Sequence, residues 1–190
     1  MRNGVDPRVV GAILCGGASR RMGRDKALLA YAGRPMVVSV AEVLSAAGSE
    51  SVIAVGGDGA ALASLGLAVV ADRWPREGPL GGVITALDQF PDHDAIMVVA
   101  CDMPLLSSAT VRAIVEALAT AADTDVAVAV TDRPQPLCAA WRPSVAAQLE
   151  TAFSSGQRRL SDVLKTLRTV EVAVAARDMA NVNTPFDLSD

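Results

Sequence analysis

Apolar residues in this chain fall into short unbroken runs, divided by glycine-marked turns and by stretches with helical spacing. Residues 9–14, 51–55, 67–71 and 94–100 are runs of strand length. Each reads as a strand buried on both faces, as in a parallel sheet. The last, DAIMVVA, is the most apolar and is expected at the centre. Helical patterns lie between them. Pro35 suits a first helical position and Gly48 a helix end, with Met36, Val37, Val40, Ala41, Val43 and Leu44 as the stripe. A short helix is expected over 60–65. Another follows the loop DRWPREGPLGG and runs to about Gln89. Ser107 or Ser108 caps a fourth, running to about Thr120. Residues 27–31 form a short apolar piece before a turn at 32–34, and residues 1–8 are expected to be a frayed start. Strand and helix in alternation predict an α/β fold with a doubly wound, mostly parallel sheet in three αβα layers.

The pattern changes after residue 125. Residues 126–130 read as a strand, TDRPQP as a turn and 137–141 as the hairpin partner. Helices are predicted over 143–153, stopped by Gly156, and over 160–167. A last strand covers 169–175, and Asn181-Val182-Asn183-Thr184-Pro185 leads into a capped final turn. No repeat, low-complexity tract or linker interrupts the chain. It reads as one domain over 1–190, with a nucleotide-binding half at about 9–104 and an acceptor-binding half at about 105–190.

Composition narrows the classes. The 190 residues are 51% hydrophobic but only 3% aromatic, so Ala, Val, Leu and Ile must build the core. A net charge of −4 argues against a general nucleic-acid binder or a membrane-surface protein, both of which carry a basic excess. Cys15, Cys101 and Cys138 are far apart, show no CxxC spacing and sit in apolar runs. Buried thiols in a reduced, cytoplasmic protein are expected, with no leader and no apolar run of transmembrane length. The sole histidine, His93, lies in a PDHD loop, so neither a His/Cys metal cluster nor a Ser/His/Asp arrangement is present.

Against the acidic background, VVGAILCGGASRRMGRDK stands out. A strand ends in Cys15-Gly16-Gly17, and Arg20, Arg21, Arg24 and Lys26 follow. Adjacent glycines let backbone N–H groups face a ligand, and the cations neutralise phosphate oxygens, so the stretch describes a polyphosphate cradle. The other reading is a solvated, Arg-rich turn. It is not a P-loop, because the glycine spacing is wrong and no Ser or Thr follows Lys26. Ligands of parallel sheets lie outside the carboxyl ends of the strands. Gly56-Gly57, Asp72 and Asp102 are at such ends. A carboxylate directly after MVVAC needs a partner or a cation. A polyphosphate arrives as its Mg²⁺ complex, which takes one or two carboxylates, so Asp102 is a candidate Mg²⁺ ligand. The alternative is a turn cap before Met103-Pro104. Asp72 suits a contact to base, ribose or metal, or equally a hydrogen bond within its own loop. Lys26, at the end of the loop, suits a departing pyrophosphate, and Asp25 beside it suits orienting Arg21 or Lys26.

Leu14, Gly16, Gly17, Arg21, Met22, Gly23, Asp25 and Lys26 together resemble the signature loop of the nucleotidyltransferases. With Asp72, GPLGG at 78–82, CDMP at 101–104, PQPL at 134–137, GQRRL at 156–160 and NVNTP at 181–185, nearly the whole chain resembles the molybdenum cofactor guanylyltransferases. That resemblance implies the Rossmann-like nucleotide-diphospho-sugar transferase fold, GTP as donor, Mg²⁺ as cofactor and molybdopterin or Mo-molybdopterin as acceptor. It implies transfer of GMP to the acceptor's terminal phosphate, giving the guanine dinucleotide and pyrophosphate. Nucleotide contacts are implied at Leu14, Cys15, Gly16, Gly17, Lys26, Asp72 and Asp102, with Asp102 also on Mg²⁺. Catalytic roles are expected for Arg21, Lys26 and Asp102, and acceptor contacts for Asn181 and Asn183, whose other reading is as turn and cap residues before the final helix. A molybdoenzyme chaperone or cofactor-insertion protein is a candidate docking partner. Cys15 stands where the family usually has Ala, and Gln135 where it has His. Gly56-Gly57 occupies the region where some members carry an Asn for guanine. Three other readings stay open: a cytidylyltransferase for the same cofactor, a sugar-phosphate-type nucleotidyltransferase and a non-catalytic carrier module.

Overall fold

Val9–Leu14 and Ala95–Ala100 are buried along their whole length and pair in parallel at the centre of the sheet. The fold is a computed structural model that describes residues 7–16 and 25–182. Its elements in chain order are β1 (Val9–Leu14), β2 (Ala30–Tyr31), β3 (Arg34–Pro35), α1 (Met36–Ala46), β4 (Ser51–Val55), α2 (Gly59–Ser64) and β5 (Ala68–Val70). Then come α3 (Pro79–Gln89), β6 (Ala95–Ala100), α4 (Ser108–Thr120), β7 (Val126–Val130), β8 (Pro134–Trp141), α5 (Ala146–Ser154), α6 (Leu160–Leu164) and β9 (Thr169–Ala173).

The main sheet has the order β5-β4-β1-β6-β8-β7-β9. Every pair is parallel except those of β8, which runs antiparallel to β6 and to β7. The chain winds outward from β1 through β4 to β5 and then returns to β6 on the other side of β1. The order therefore reverses between β1 and β6, and that switch point is where such sheets open a crevice.

Side chains alternate across the sheet, and each face builds its own core. Ile13, Met97 and Val99 pack with Val40 and Leu44 of α1 and Ile114 and Leu118 of α4. Val10, Ile96 and Val98 pack with Val83, Ile84 and Leu87 of α3 and Leu149 and Phe153 of α5. These are the three layers that the alternation of strands and helices predicts.

Several local expectations shift. Pro35 is not the first helical residue. It pairs with Ala30 in the β2–β3 hairpin, and the helix opens at Met36, whose N–H bonds the Leu29 carbonyl at 2.9 Å. The loop after Asp72 ends earlier than glycine content suggests, because α3 begins at Pro79. Gly81 and Gly82 serve close packing there: an added Cβ would lie 3.2 Å from Trp74 Cβ or from Leu14 Cδ2. The TDRPQP turn shortens to residues 131–133, since β8 starts at Pro134. The final helix is shorter than predicted and ends at Leu164, and β9 ends at Ala173. The second helix of the C-terminal half opens with a 3-10 turn at Pro143–Val145 before α5.

One buried carboxylate was not visible in the sequence pattern. Asp178 is 2% exposed, and its Oδ2 accepts hydrogen bonds from Ser107 Oγ and Thr110 Oγ1, both at 2.6 Å. It anchors the first turn of α4, whose N-cap is Ser107. Burial pushes its pKa up, but the hydrogen bonds of Ser107 and Thr110 outweigh that and hold it below the ordinary 3.8. A carboxyl with a depressed folded pKa adds stability above its unfolded pKa and loses it as pH falls through the folded one. Asp178→Asn should thus lower Tm at pH 7 by roughly 3–12 °C, from loss of about 1.5–3 kcal/mol of charge-assisted bonding. In thermal melts the gap to wild type should close as pH falls below about 4. A gap that persists unchanged at pH 3 would show that the charge of Asp178 is not the stabilising element.

Candidate active site

The parallel strands end side by side, and their ends form one wall of a cavity of about 1220 Å³. The ladder continues past the strand ends. Cys15 N–H donates to the Val55 carbonyl and Gly56 N–H to the Val70 carbonyl, both at 2.9 Å, and Cys101 N–H donates to Leu14 at 3.3 Å. The residues after each strand are therefore held in register: Gly16 after β1, Gly56 and Gly57 after β4, Asp72 after β5 and Asp102 after β6. Gly56 has φ 73°, and a Cβ added to it would sit 3.3 Å from the Gly16 backbone, so the two loops abut main chain to main chain.

Lys26 and Asp102 meet at this wall. Lys26 Nζ donates to Asp102 Oδ2 at 2.5 Å, with the side chains 17% and 15% exposed. The position of Lys26 comes from Asp25. Asp25 Oδ1 accepts from Ala27 N–H at 3.0 Å, capping the 3-10 turn Lys26–Leu28, and Oδ2 accepts from Asp58 N–H at 2.8 Å. Asp25 thus ties the end of the signature loop to the loop after β4, rather than only orienting its neighbour. The other Asp102 oxygen, Oδ1, is buried with no hydrogen-bond partner among the described residues. A buried carboxylate oxygen left unpaired is costly, and a cation is the chemistry that satisfies it.

Asp72 makes the hydrogen bonds within its own loop that its sequence position allows, and it also lines the cavity. Oδ1 accepts from Trp74 N–H at 3.0 Å and from Thr85 Oγ1 at 3.5 Å, within its own loop and α3. Oδ2 faces Gly16, 3.6 Å from where a Cβ on that glycine would stand. Leu14 and Cys15 also line the cavity. The Cys15 thiol is pushed far up in pKa by its hydrogen bond with Cys101 and by burial, so it stays protonated. Burial and the nearby Asp178 raise Cys138 to about 12.

The C-terminal half closes the opposite side. The β7–β8 register shifts between Val128 and Ala129, leaving residues 136–138 without partners on β7. This bulge puts Gln135, Pro136 and Leu137 on the cavity wall. Asn181 lines it too, held there because Val182 N–H donates to the Asp102 carbonyl at 3.0 Å. The structure therefore brings together Leu14, Cys15, Gly16, Lys26, Asp72, Asp102 and Asn181 from seven of the expected positions. Gly17, Arg21 and Asn183 lie outside the described residues.

Among the described residues, no cluster of three His, Cys, Asp or Glu side chains could hold a metal unaided. The donor set fits Mg²⁺ in the form that uses one carboxylate, with the remaining ligands drawn from phosphate oxygens and water. No described helix is long and apolar enough to cross a membrane.

Sheet order, switch-point crevice and paired Lys and Asp at its wall define a nucleotidyltransferase domain of the Rossmann-like nucleotide-diphospho-sugar transferase type. The chain belongs to the MobA-like NTP transferase family, whose domain it matches over residues 11–178. It is 34% identical over 180 residues to the molybdenum cofactor guanylyltransferase of Xanthomonas euvesicatoria, covering 92% of this chain and 89% of that protein. It is 32% identical to the enzyme of that name from Rhodobacter capsulatus, over 96% of this chain and 94% of the other. Among solved structures, molybdopterin-guanine dinucleotide biosynthesis protein A from Archaeoglobus fulgidus superposes with a TM-score of 0.75 at 26% identity, covering 94% of each chain.

Proposed function

We propose that this protein transfers GMP from GTP to the terminal phosphate of molybdopterin or Mo-molybdopterin, giving the guanine dinucleotide and pyrophosphate. The observation that carries this reading is the Asp102 carboxylate at the switch point, with one oxygen on Lys26 and the other buried and without a partner among the described residues. The relatives' names, molybdenum cofactor guanylyltransferase and molybdopterin-guanine dinucleotide biosynthesis protein A, support a guanylyl donor and a molybdopterin acceptor.

An oxygen of the acceptor's phosphate attacks the α-phosphorus of GTP, a new P–O–P bridge forms, and the bond to the pyrophosphate oxygen breaks. The protein's contribution is positioning and charge neutralisation, so no covalent enzyme intermediate is required. Gly16 and Gly56 give the nucleotide a close backbone approach, with Leu14 and Cys15 beneath it and Asp72 at its edge. Lys26 turns from Asp102 to the phosphates, and Arg21 serves the same charge. Asp102 would hold Mg²⁺, which when bound would supply Lewis-acid neutralisation of the phosphate oxygens. Asn181 and Asn183, with paired donors and acceptors, serve the acceptor. The buried free thiols of Cys15, Cys101 and Cys138 suit a reduced, cytoplasmic setting.

The test is pyrophosphate release by purified protein with GTP, Mg²⁺ and molybdopterin, beside a thermal-shift panel of nucleotides. GTP·Mg²⁺ should raise Tm more than CTP·Mg²⁺ or ATP·Mg²⁺ at equal concentration, because a ligand of the native state stabilises in proportion to its affinity. A larger shift with CTP would turn the assignment to a cytidylyltransferase. Binding with no pyrophosphate release would turn it to a carrier.

A further inference from the structure

Between Asp72 and α3 the chain makes a four-residue turn, Trp74-Pro75-Arg76-Glu77, closed by Glu77 N–H on the Trp74 carbonyl at 3.2 Å. Proline in the second place and a positive φ in the third are the marks of a type II turn, whose third residue is ordinarily glycine. Here that residue is Arg76, at φ 71°. Among the described non-glycine residues only Ala32 shares this left-handed region. A side chain held in this conformation goes against local backbone preference and points to a role outside the turn.

The charges around Arg76 are already matched. Arg73 pairs with Asp88 and with Glu150, and Glu77 pairs with Arg158 at 2.8 Å. Arg76 makes no hydrogen bond or ion pair among the described residues, yet it lines the cavity that holds Lys26 and Asp102. Its loop is one of the places where the N-terminal half meets the C-terminal half. Glu77 is bonded to Arg158, and a Cβ on Gly78 would stand 3.5 Å from the Arg158 carbonyl.

We propose that Arg76 is a substrate-binding residue whose guanidinium takes the phosphate of the acceptor. A guanidinium offers a planar fork of donors that matches phosphate oxygens in pairs. The turn sets Arg76 on the cavity wall in a loop that touches Arg158 of the C-terminal half, while Lys26 and the strand ends serve the nucleotide. The assignment rests on the transferase reading above.

Arg76→Gly separates the two consequences. The turn gains its preferred residue, so Tm should be unchanged or higher than wild type. KM for molybdopterin should rise at least about tenfold, while Kd for GTP·Mg²⁺, by isothermal titration, stays within about twofold. Arg76→Lys should fall between, keeping the charge but not the fork. A merely structural role would give the opposite pattern, a lower Tm with KM unchanged. An acceptor KM equal to wild type in Arg76→Gly overturns the assignment, as does a loss of GTP affinity in place of acceptor affinity. Absence of acceptor-dependent pyrophosphate release in the wild type would instead overturn the transferase reading itself, so the two failures are distinct.

Discussion

Asp102→Asn should lose at least about a hundredfold in turnover with GTP, Mg²⁺ and molybdopterin, while its far-UV spectrum stays that of the wild type. The substitution keeps the size and the planar group but removes the charge from the one carboxylate that ends the central strand β6. It also removes the counter-ion of Lys26, which donates to this carboxylate at 2.5 Å. Lys26→Ala should cost a similar factor, since it takes away the cation that pairs with Asp102 among the described residues. The two losses should not add. Residues acting as one unit give a double variant little worse than either single one, and a cycle of Asp102→Asn with Lys26→Ala measures the coupling. Wild-type rates in Asp102→Asn would remove the metal assignment. Full additivity in the cycle would mean that the pair seen in the free protein has no counterpart during turnover.

Gly57→Ala should destabilise the protein by about 2–5 kcal/mol and weaken GTP binding with it. Two costs combine. Gly57 has φ 76°, a region that costs an L-residue about 1–2 kcal/mol. Its Cβ would also lie 2.9 Å from Asp25 Oδ2 and 3.0 Å from both Cys15 Cβ and Leu62 Cδ1, and overpacking of this kind costs about 1–3 kcal/mol. Relief of the clash would move Asp25 away from Asp58 N–H and loosen the turn that carries Lys26. Gly66→Ala is the control: its φ is 82°, but an added Cβ would meet nothing within 4 Å. It should show the conformational cost alone and leave GTP affinity unchanged. Urea unfolding of both variants isolates the packing cost by difference. Equal losses in the two would show that crowding at Gly57 carries no weight.

Much of the fold was legible because its physical cause is local. An unbroken apolar run such as AIMVVA can only be a strand covered on both faces, and alternation with amphipathic helices leaves few arrangements other than a doubly wound sheet. That Gly16, Asp72 and Asp102 line one cavity was legible for a similar reason, since strand ends of such a sheet share one crevice whatever their separation in sequence. Other features depend on contacts between distant segments. GPLGG reads as a loop from its glycines, yet Gly81 and Gly82 are helical because Trp74 and Leu14 press against them. The insertion of β8 between β6 and β7, and the bulge that turns Gln135 and Leu137 toward the cavity, follow from pairing across the sheet, which local pattern does not encode. Asp178 carries no sequence mark, because its value lies in hydroxyls 68 and 71 residues away. The amino-acid sequence alone determined which residues are apolar enough for strands and which carry chemistry. Only the tertiary structure decided that Lys26 meets Asp102, that Asp25 clamps two loops and that Arg76 lines the cavity unpaired among the described residues. Those outcomes depend on where side chains end in space, and propensity and spacing leave that open.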